Sequence, residues 1–333
     1  MFEYIAYPAL LVLSLAAILF ACELFTNGIE WTGKRLDLPE SATGSILAAV
    51  GTALPETSIP ILALIAGSKG HDIAVGAIAG APFMLATLGF FVTGAAVLVF
   101  SKKGRRAPVL QADPTVLTRD LGFFLVIYSV AFLTTFVPSH PARLIVAAGL
   151  VLSYVLYTMR TLGHDGDKHG ELEELHLSRA FHVDEAHNVL IALQVMAGLV
   201  IIVAGAHYFV VGVEHVSAMF GIPALLLSLI ITPIATELPE KMNSVLWIKN
   251  GKDTLAIGNI TGAMVFQASF PVAIGVAFTP WALTGPTMVS ALVAIASAGF
   301  CYVMLKIKKT LPIYALMTGG AFYLAFMAYL ILG

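Results

Sequence analysis

Charge is what this chain has least of. Only 11% of its 333 residues are Asp, Glu, Lys or Arg, while 59% are hydrophobic; soluble domains carry about 25% charged residues. Together with a mean hydropathy of +0.91, that scarcity excludes a soluble globular domain. Alternation of apolar and polar residues with period two is also missing, which argues against a lipid-facing β-barrel. Cysteine is nearly absent: Cys22 and Cys301 are the only two. Both fall within apolar segments and read as small core residues without a disulfide. No His-Glu-x-x-His and no Gly-x-Ser-x-Gly occurs, so a membrane-embedded hydrolase lacks its metal site or nucleophile, and no enzyme is expected.

What the chain has in quantity is apolar length. Ten runs are long enough for a hydrocarbon core of about 30 Å: 8–28, 40–66, 72–100, 118–137, 142–161, 188–212, 222–248, 254–279, 285–305 and 311–331. The second, third, seventh and eighth are long and expected to tilt or break. The fold class is an all-α polytopic membrane protein. The net charge of −2 carries no information on partners, but the placement of Lys and Arg does. With the N-terminus outside, fifteen basic residues fall in inner loops, from Lys34 and Arg35 to Lys306, Lys308 and Lys309, and only Lys69 and Arg143 in outer ones. This bias predicts both termini outside the cytoplasm. Glu3, with no basic residue before the first span, argues against a cleaved signal peptide.

The eighteenth basic residue, Lys241, lies within an apolar segment, beside one of two near-identical motifs. Gly51-Thr52-Ala53-Leu54-Pro55-Glu56 is echoed by Ala235-Thr236-Glu237-Leu238-Pro239-Glu240. A carboxylate inside hydrocarbon costs several kcal/mol and marks a functional position. The echo extends further: Gly28, Glu30, Pro55 and Glu56 recur as Gly212, Glu214, Pro239 and Glu240 at a constant offset of 184, and Gly76 and Gly80 as Gly258 and Gly262 at 182. Five spans per half is an odd number, so the second half enters the membrane in the opposite sense, as in the inverted repeats of secondary transporters. Symmetry then predicts Glu56 and Glu240 near each other at mid-depth. Pro55, Pro60, Pro233 and Pro239 each remove a backbone donor. A freed carbonyl beside a carboxylate is a hard-oxygen site of the kind Ca²⁺ or Na⁺ takes; the plainer reading is a proline kink with a hydrogen-bonded Glu.

These residues resemble a family. The first motif with Gly76-x-x-x-Gly80, and the second with Gly258-Asn259-Ile260-Thr261-Gly262, are similar to the two α-repeats of the cation/Ca²⁺ exchanger superfamily. The likeness covers nearly the whole chain. It implies ten transmembrane helices in two inverted five-helix repeats: 1–162 with its motif at 44–90, a cytoplasmic loop at 163–187, and 188–333 with its motif at 228–275. It implies an antiporter moving Ca²⁺, or a similar divalent cation, against Na⁺ or H⁺ by alternating access, the first and sixth helices sliding against the other eight. It needs no cofactor and no nucleic-acid partner, only inorganic cations and the lipid bilayer, in a prokaryotic plasma membrane. By position, Glu56 and Glu240 would bind the divalent ion, Thr52 and Thr236 would lend carbonyl or hydroxyl oxygens, and Gln267 occupies the later ligand position of the second repeat.

The departures are as informative. The first repeat has Ala77, Ala81, Pro82 and Leu85 where the family carries polar ligands, and the second has Ala263-Met264 in place of its Ser-Asn pair. Glu237 and Lys241 are gains. On a helix, Glu237 faces Glu240 three residues on and Lys241 four residues on; alternatively Lys241 points away and snorkels to an interface. Glu56, Glu237, Glu240 and Lys241 sum to −2, which one divalent cation would neutralise, whereas an empty site would need protons. The glycines Gly76, Gly80, Gly258 and Gly262 serve either close packing or a ligand backbone. In the 163–187 loop, Asp165 to Gly170 has the start of a Ca²⁺-loop spacing, but His176 stands where a bidentate Glu is needed, so a solvated linker is the first expectation. Rival readings are an H⁺-coupled transporter of another cation, a passive cation channel, and a relative that binds ions without transporting them.

Overall fold

The computed structural model describes residues 3–36, 54–67, 70–104, 107–162, 173–182 and 187–332. Among them every regular element is helical. In chain order these are α1 (Glu3–Arg35), α2 (Leu54–Ile65), α3 (Gly70–Met84), a π-helical turn (Leu85–Gly89), α4 (Phe90–Lys102), α5 (Pro114–Leu133) with a 3₁₀ turn (Thr134–Phe136), α6 (His140–Leu162) and α7 (His176–Phe181). There follow α8 (Asn188–Phe220), α9 (Ala224–Thr236), α10 (Leu238–Lys249), α11 (Asp253–Phe278), α12 (Gly285–Lys308) and α13 (Ile313–Leu332). Eight of the ten expected spans are helices long and apolar enough to cross a membrane, the third through its π turn. The seventh is divided into α9 and α10. The second has only α2 among the described residues. The eighth, expected to tilt or break, is one unbroken 26-residue helix despite Pro271.

The chain forms two compact units, 1–70 with 155–224 and 71–154 with 225–333. Each draws on both halves of the sequence.

In the first unit α1 and α8, both 33 residues, pack along their length, and α2 lies against both. The seam is made by glycines. A Cβ on Gly205 would stand 3.2 Å from the Ser14 carbonyl oxygen, and one on Gly198 3.1 Å from that of Ala21. Gly28 abuts Val195, and Gly212 abuts Leu11. Displacing either contact of a pair by the repeat offset of 184 yields the other. Along α1 the contact residues rise (11, 14, 21, 28) while their partners on α8 fall (212, 205, 198, 195), so the helices are antiparallel. α1 and α8 are therefore related by a pseudo-two-fold axis that reverses chain direction, as corresponding helices of an inverted repeat are.

The end of the central loop docks on this helix pair. Gln194, wholly buried, accepts from the Leu177 amide at 2.8 Å and donates to Leu24 O and Asn27 Oδ1 at 2.9 and 2.8 Å. Asn27 Oδ1 also accepts from the His176 amide, and Trp31 Nε1 donates to Glu173 O at 3.0 Å. Leu175 inserts beside Ile191, Trp31 and Leu190. The expected Ca²⁺-loop start, Asp165 to Gly170, lies outside the described residues.

In the second unit α11 packs against α5 and α10, and α12 and α13 against the helices around the π turn. That turn follows Pro82, which removes one helical donor and loosens the ladder; its Ala86 carbonyl accepts from Ser297 Oγ at 2.6 Å. Gly76 and Gly80 bring α3 onto α9, where a Cβ would stand 2.5 Å from Leu225 O and 2.3 Å from Leu229 O. Close packing is therefore the role of these two. Gly258 is not crowded: its nearest neighbour would be Val116 at 3.9 Å.

Candidate functional site

Both Leu-Pro-Glu motifs begin a helix. α2 and α10 are each 12 residues long and coincide end to end under the offset of 184. Pro55 and Pro239 sit at the second position of α2 and α10. Glu56 and Glu240 are thereby delivered to the first turn of a short helix, where the helix dipole favours negative charge. Glu56 lies in the first unit and is 5% exposed; Glu240 lies in the second and is 6% exposed. Thr52 lies outside the described residues.

The described site is the second copy. Glu237 occupies the joint between α9 and α10, with φ −89° and ψ 7°. Its amide still reaches Pro233 O at 3.2 Å and its carbonyl accepts from the Lys241 amide at 3.2 Å, so the helix is pinched rather than cut. Prolines cause this: Pro233 withdraws the donor that Leu229 O would have used, and Pro239 the donor for Ala235 O. The Glu237 side chain is 0% exposed, and its Oε2 meets Lys241 Nζ at 2.8 Å. Lys241, itself 8% exposed, thus points inward; the snorkelling alternative does not hold.

Glu240 and Gln267 are the other polar side chains acting on the Glu237 carboxyl. Gln267 comes from the middle of α11 and is 3% exposed. Pro271 removes the amide that would have met the Gln267 carbonyl. Three oxygens here are buried without a hydrogen-bond partner among the described residues: Glu237 Oε1, Glu240 Oε2 and Gln267 Oε1. Buried oxygens are ordinarily satisfied, and lipid offers nothing. Two carboxylates and a carboxamide are hard donors of the sort that Ca²⁺, Na⁺ or a proton would satisfy. Among the described residues no three His, Cys, Asp or Glu side chains form a metal-binding group.

Supporting groups hold this arrangement in place. Asn259 Nδ2 donates to Glu240 O at 3.0 Å and to Ser244 Oγ at 3.3 Å, and Ser244 Oγ donates to Ala256 O at 2.9 Å. α10 is thereby fastened to α11 next to Glu240. A buried hydroxyl stripe leads to it along α9: Ser228 Oγ donates to Ile73 O, lies 3.2 Å from Thr232 Oγ1, and Thr236 Oγ1 donates to Thr232 O at 3.0 Å. Thr236, predicted as a ligand, thus retains oxygen lone pairs. Ser228, Thr232 and Ser244 escaped the reading of the sequence; their signal was a polar residue every fourth position through 228, 232, 236, 240 and 244. Asp120 escaped as well: it is 1% exposed and receives Thr261 Oγ1 at 2.8 Å and Arg119 Nε at 2.9 Å.

The chain is similar to known proteins. A family model described as sodium/calcium exchanger protein matches residues 6–163 and 190–332. The putative antiporter CaxA of Alkalimonas amylolytica is 23% identical over 310 residues, 92% of this chain and 89% of that protein. Inner membrane protein YrbG of Escherichia coli strain K12 is 24% identical over 277 residues, covering 82% and 80%. Among solved structures, the H⁺/Ca²⁺ exchanger CAX superposes with a TM-score of 0.74 at 16% identity, covering 98% of this chain and 82% of that one. The sodium-calcium exchanger NCX_Mj gives 0.57 at 18% identity, covering 97% and 98%. At these identities the structural likeness speaks for the fold.

Proposed function

The chain belongs to the sodium/calcium exchanger protein family, and on that premise we propose that it is a secondary active cation antiporter. Its cargo is Ca²⁺ or a similar divalent cation, exchanged for Na⁺ or H⁺ by alternating access in a prokaryotic plasma membrane, with both termini outside the cytoplasm. The observation that carries the reading is the set of buried oxygens on Glu237, Glu240 and Gln267 that have no hydrogen-bond partner among the described residues, in a family of exchangers. Glu240 and Glu56 are the principal ligands, one per repeat (1–162 and 188–333, joined by 163–187). Thr236, Thr52, Gln267 and the open oxygen of Glu237 complete the ligand set. No cofactor takes part; the ions are cargo.

Proton coupling is favoured over Na⁺ coupling by Lys241. Its ammonium already meets one oxygen of Glu237 at 2.8 Å, leaving fewer oxygen positions for Na⁺. The antiporter is tested in proteoliposomes. Uphill Ca²⁺ uptake should follow an imposed counter-ion gradient, which a passive channel would not support. Proton release should track uptake without added Na⁺; strict Na⁺ dependence would reverse the coupling assignment.

A further inference from the structure

Lys241 is the least expected member of the site, a full positive charge among groups that receive cations. It is not a bystander. The Nζ lies 2.8 Å from Glu237 Oε2, one turn back on the same helix, with side-chain exposures of 10% and 0%. The other oxygen of the same carboxylate, Oε1, has no hydrogen-bond partner among the described residues, and the neighbouring polar groups, Glu240 and Gln267, each hold an oxygen in the same condition. An ammonium is a compact point charge that a carboxylate binds much as it binds a hydrated monovalent ion. Here it stands on one face of Glu237 while the opposite oxygen and its neighbours remain open.

We propose that Lys241 is a tethered counter-ion, filling with a covalently held ammonium the position on Glu237 that a mobile monovalent cation would otherwise take. This deepens the antiporter reading and rests on it for its meaning in transport. The tethered charge lowers by one the number of mobile cations the site can hold, because Glu237 is neutralised whether or not cargo is present. Beside Glu237, Glu240 is left as the carboxylate whose charge a mobile ion must meet. The class of ion displaced is set by the donors: monovalent and oxygen-seeking, of which Na⁺ is the available probe.

The same arrangement admits a purely structural reading, in which the ion pair only neutralises a buried carboxylate. The two differ in one measurable respect. Removing a tethered cation should create a site for a mobile one, whereas removing a structural brace creates only damage. The test uses the purified full-length protein in detergent, with thermal unfolding followed across a Na⁺ titration at constant ionic strength in choline. Four forms are compared: wild type, Lys241→Met, Lys241→Arg, and the double variant Glu237→Gln with Lys241→Met. The expected result is a saturable Na⁺-dependent rise in melting temperature for Lys241→Met beyond that of wild type. The double variant, with no carboxylate left at position 237 to neutralise, should respond to Na⁺ no more than wild type does, and Lys241→Arg should behave as wild type. If Lys241→Met fails to fold in choline, saturable recovery in Na⁺ supports the proposal; a failure that Na⁺ does not relieve overturns it, whether or not the double variant folds. An unchanged Na⁺ response in folded Lys241→Met also overturns it, as does a gain that persists in the double variant. Because the readout is Na⁺ binding, it stands or falls separately from flux: an absence of Ca²⁺ transport by wild type would sink the antiporter reading alone.

Discussion

Gly205 of α8 rests against the main chain of Ser14 in α1, leaving only 3.2 Å between its would-be Cβ and the Ser14 carbonyl oxygen. The mirror contact is between Gly198 and Ala21. Small residues of this kind let two helices approach until their backbones touch, which is the chief source of association in lipid. Gly205→Leu and Gly198→Leu should therefore each lower stability by about 1–3 kcal/mol, the usual cost of overpacking. Thermal unfolding in detergent checks this. Gly149→Leu is the control, since no atom of the described residues lies within 4 Å of its would-be Cβ. Equal melting temperatures for all three would contradict the seam.

The docking of 173–182 on α1 and α8 depends on one carboxamide. Gln194→Leu removes the acceptor of the Leu177 amide and the donor to Leu24 O and Asn27 Oδ1. Leaving buried partners unsatisfied costs about 1–3 kcal/mol. Hydrogen exchange of the amides at 176 and 177 should accelerate in the variant, with little change on α12 and α13. Unaltered exchange at those amides would show that Leu175 and its apolar contacts hold the segment alone.

A pH-dependent element lies just outside the membrane-spanning helices. Asp113 caps α5, accepting from the Thr115 amide at 2.7 Å. That backbone hydrogen bond, aided by the Thr115 side chain, lowers its carboxyl below the ordinary 3.8. A depressed native value means that the stabilisation is complete above pH 3.8 and is lost as pH falls through the lower value. Asp113→Ala should melt earlier than wild type at neutral pH, with the gap closing in that acid window. A gap constant down to complete acid unfolding would contradict the role.

Much of this was legible in the sequence, and for identifiable reasons. Eight apolar runs emerged as long helices because lipid tolerates few alternatives for a backbone at that depth. The pinch at Glu237 was legible because proline chemistry is local. The 184-residue offset announced the inverted repeat, but not that Leu11, Ser14 and Ala21 would be the contact points. Contacts between residues distant in the chain carry no local mark, and Asn27 and Gln194 read as isolated polar residues for the same reason. The π turn after Pro82 was hidden too, since its Ala86 carbonyl is satisfied by Ser297 more than 200 residues away. Lys241 had two orientations open to it. Burial beside Glu237 was chosen by packing, which the spacing of four permits but does not dictate.

The central claim is that Glu240 and Glu56 carry the cation. The most direct measurement is ⁴⁵Ca²⁺ uptake into proteoliposomes driven by an imposed counter-ion gradient, comparing wild type with Glu240→Gln and Glu56→Gln, each confirmed folded by its elution profile. Uphill uptake by wild type and its loss in both variants is the predicted result. Undiminished flux in both would contradict the assignment.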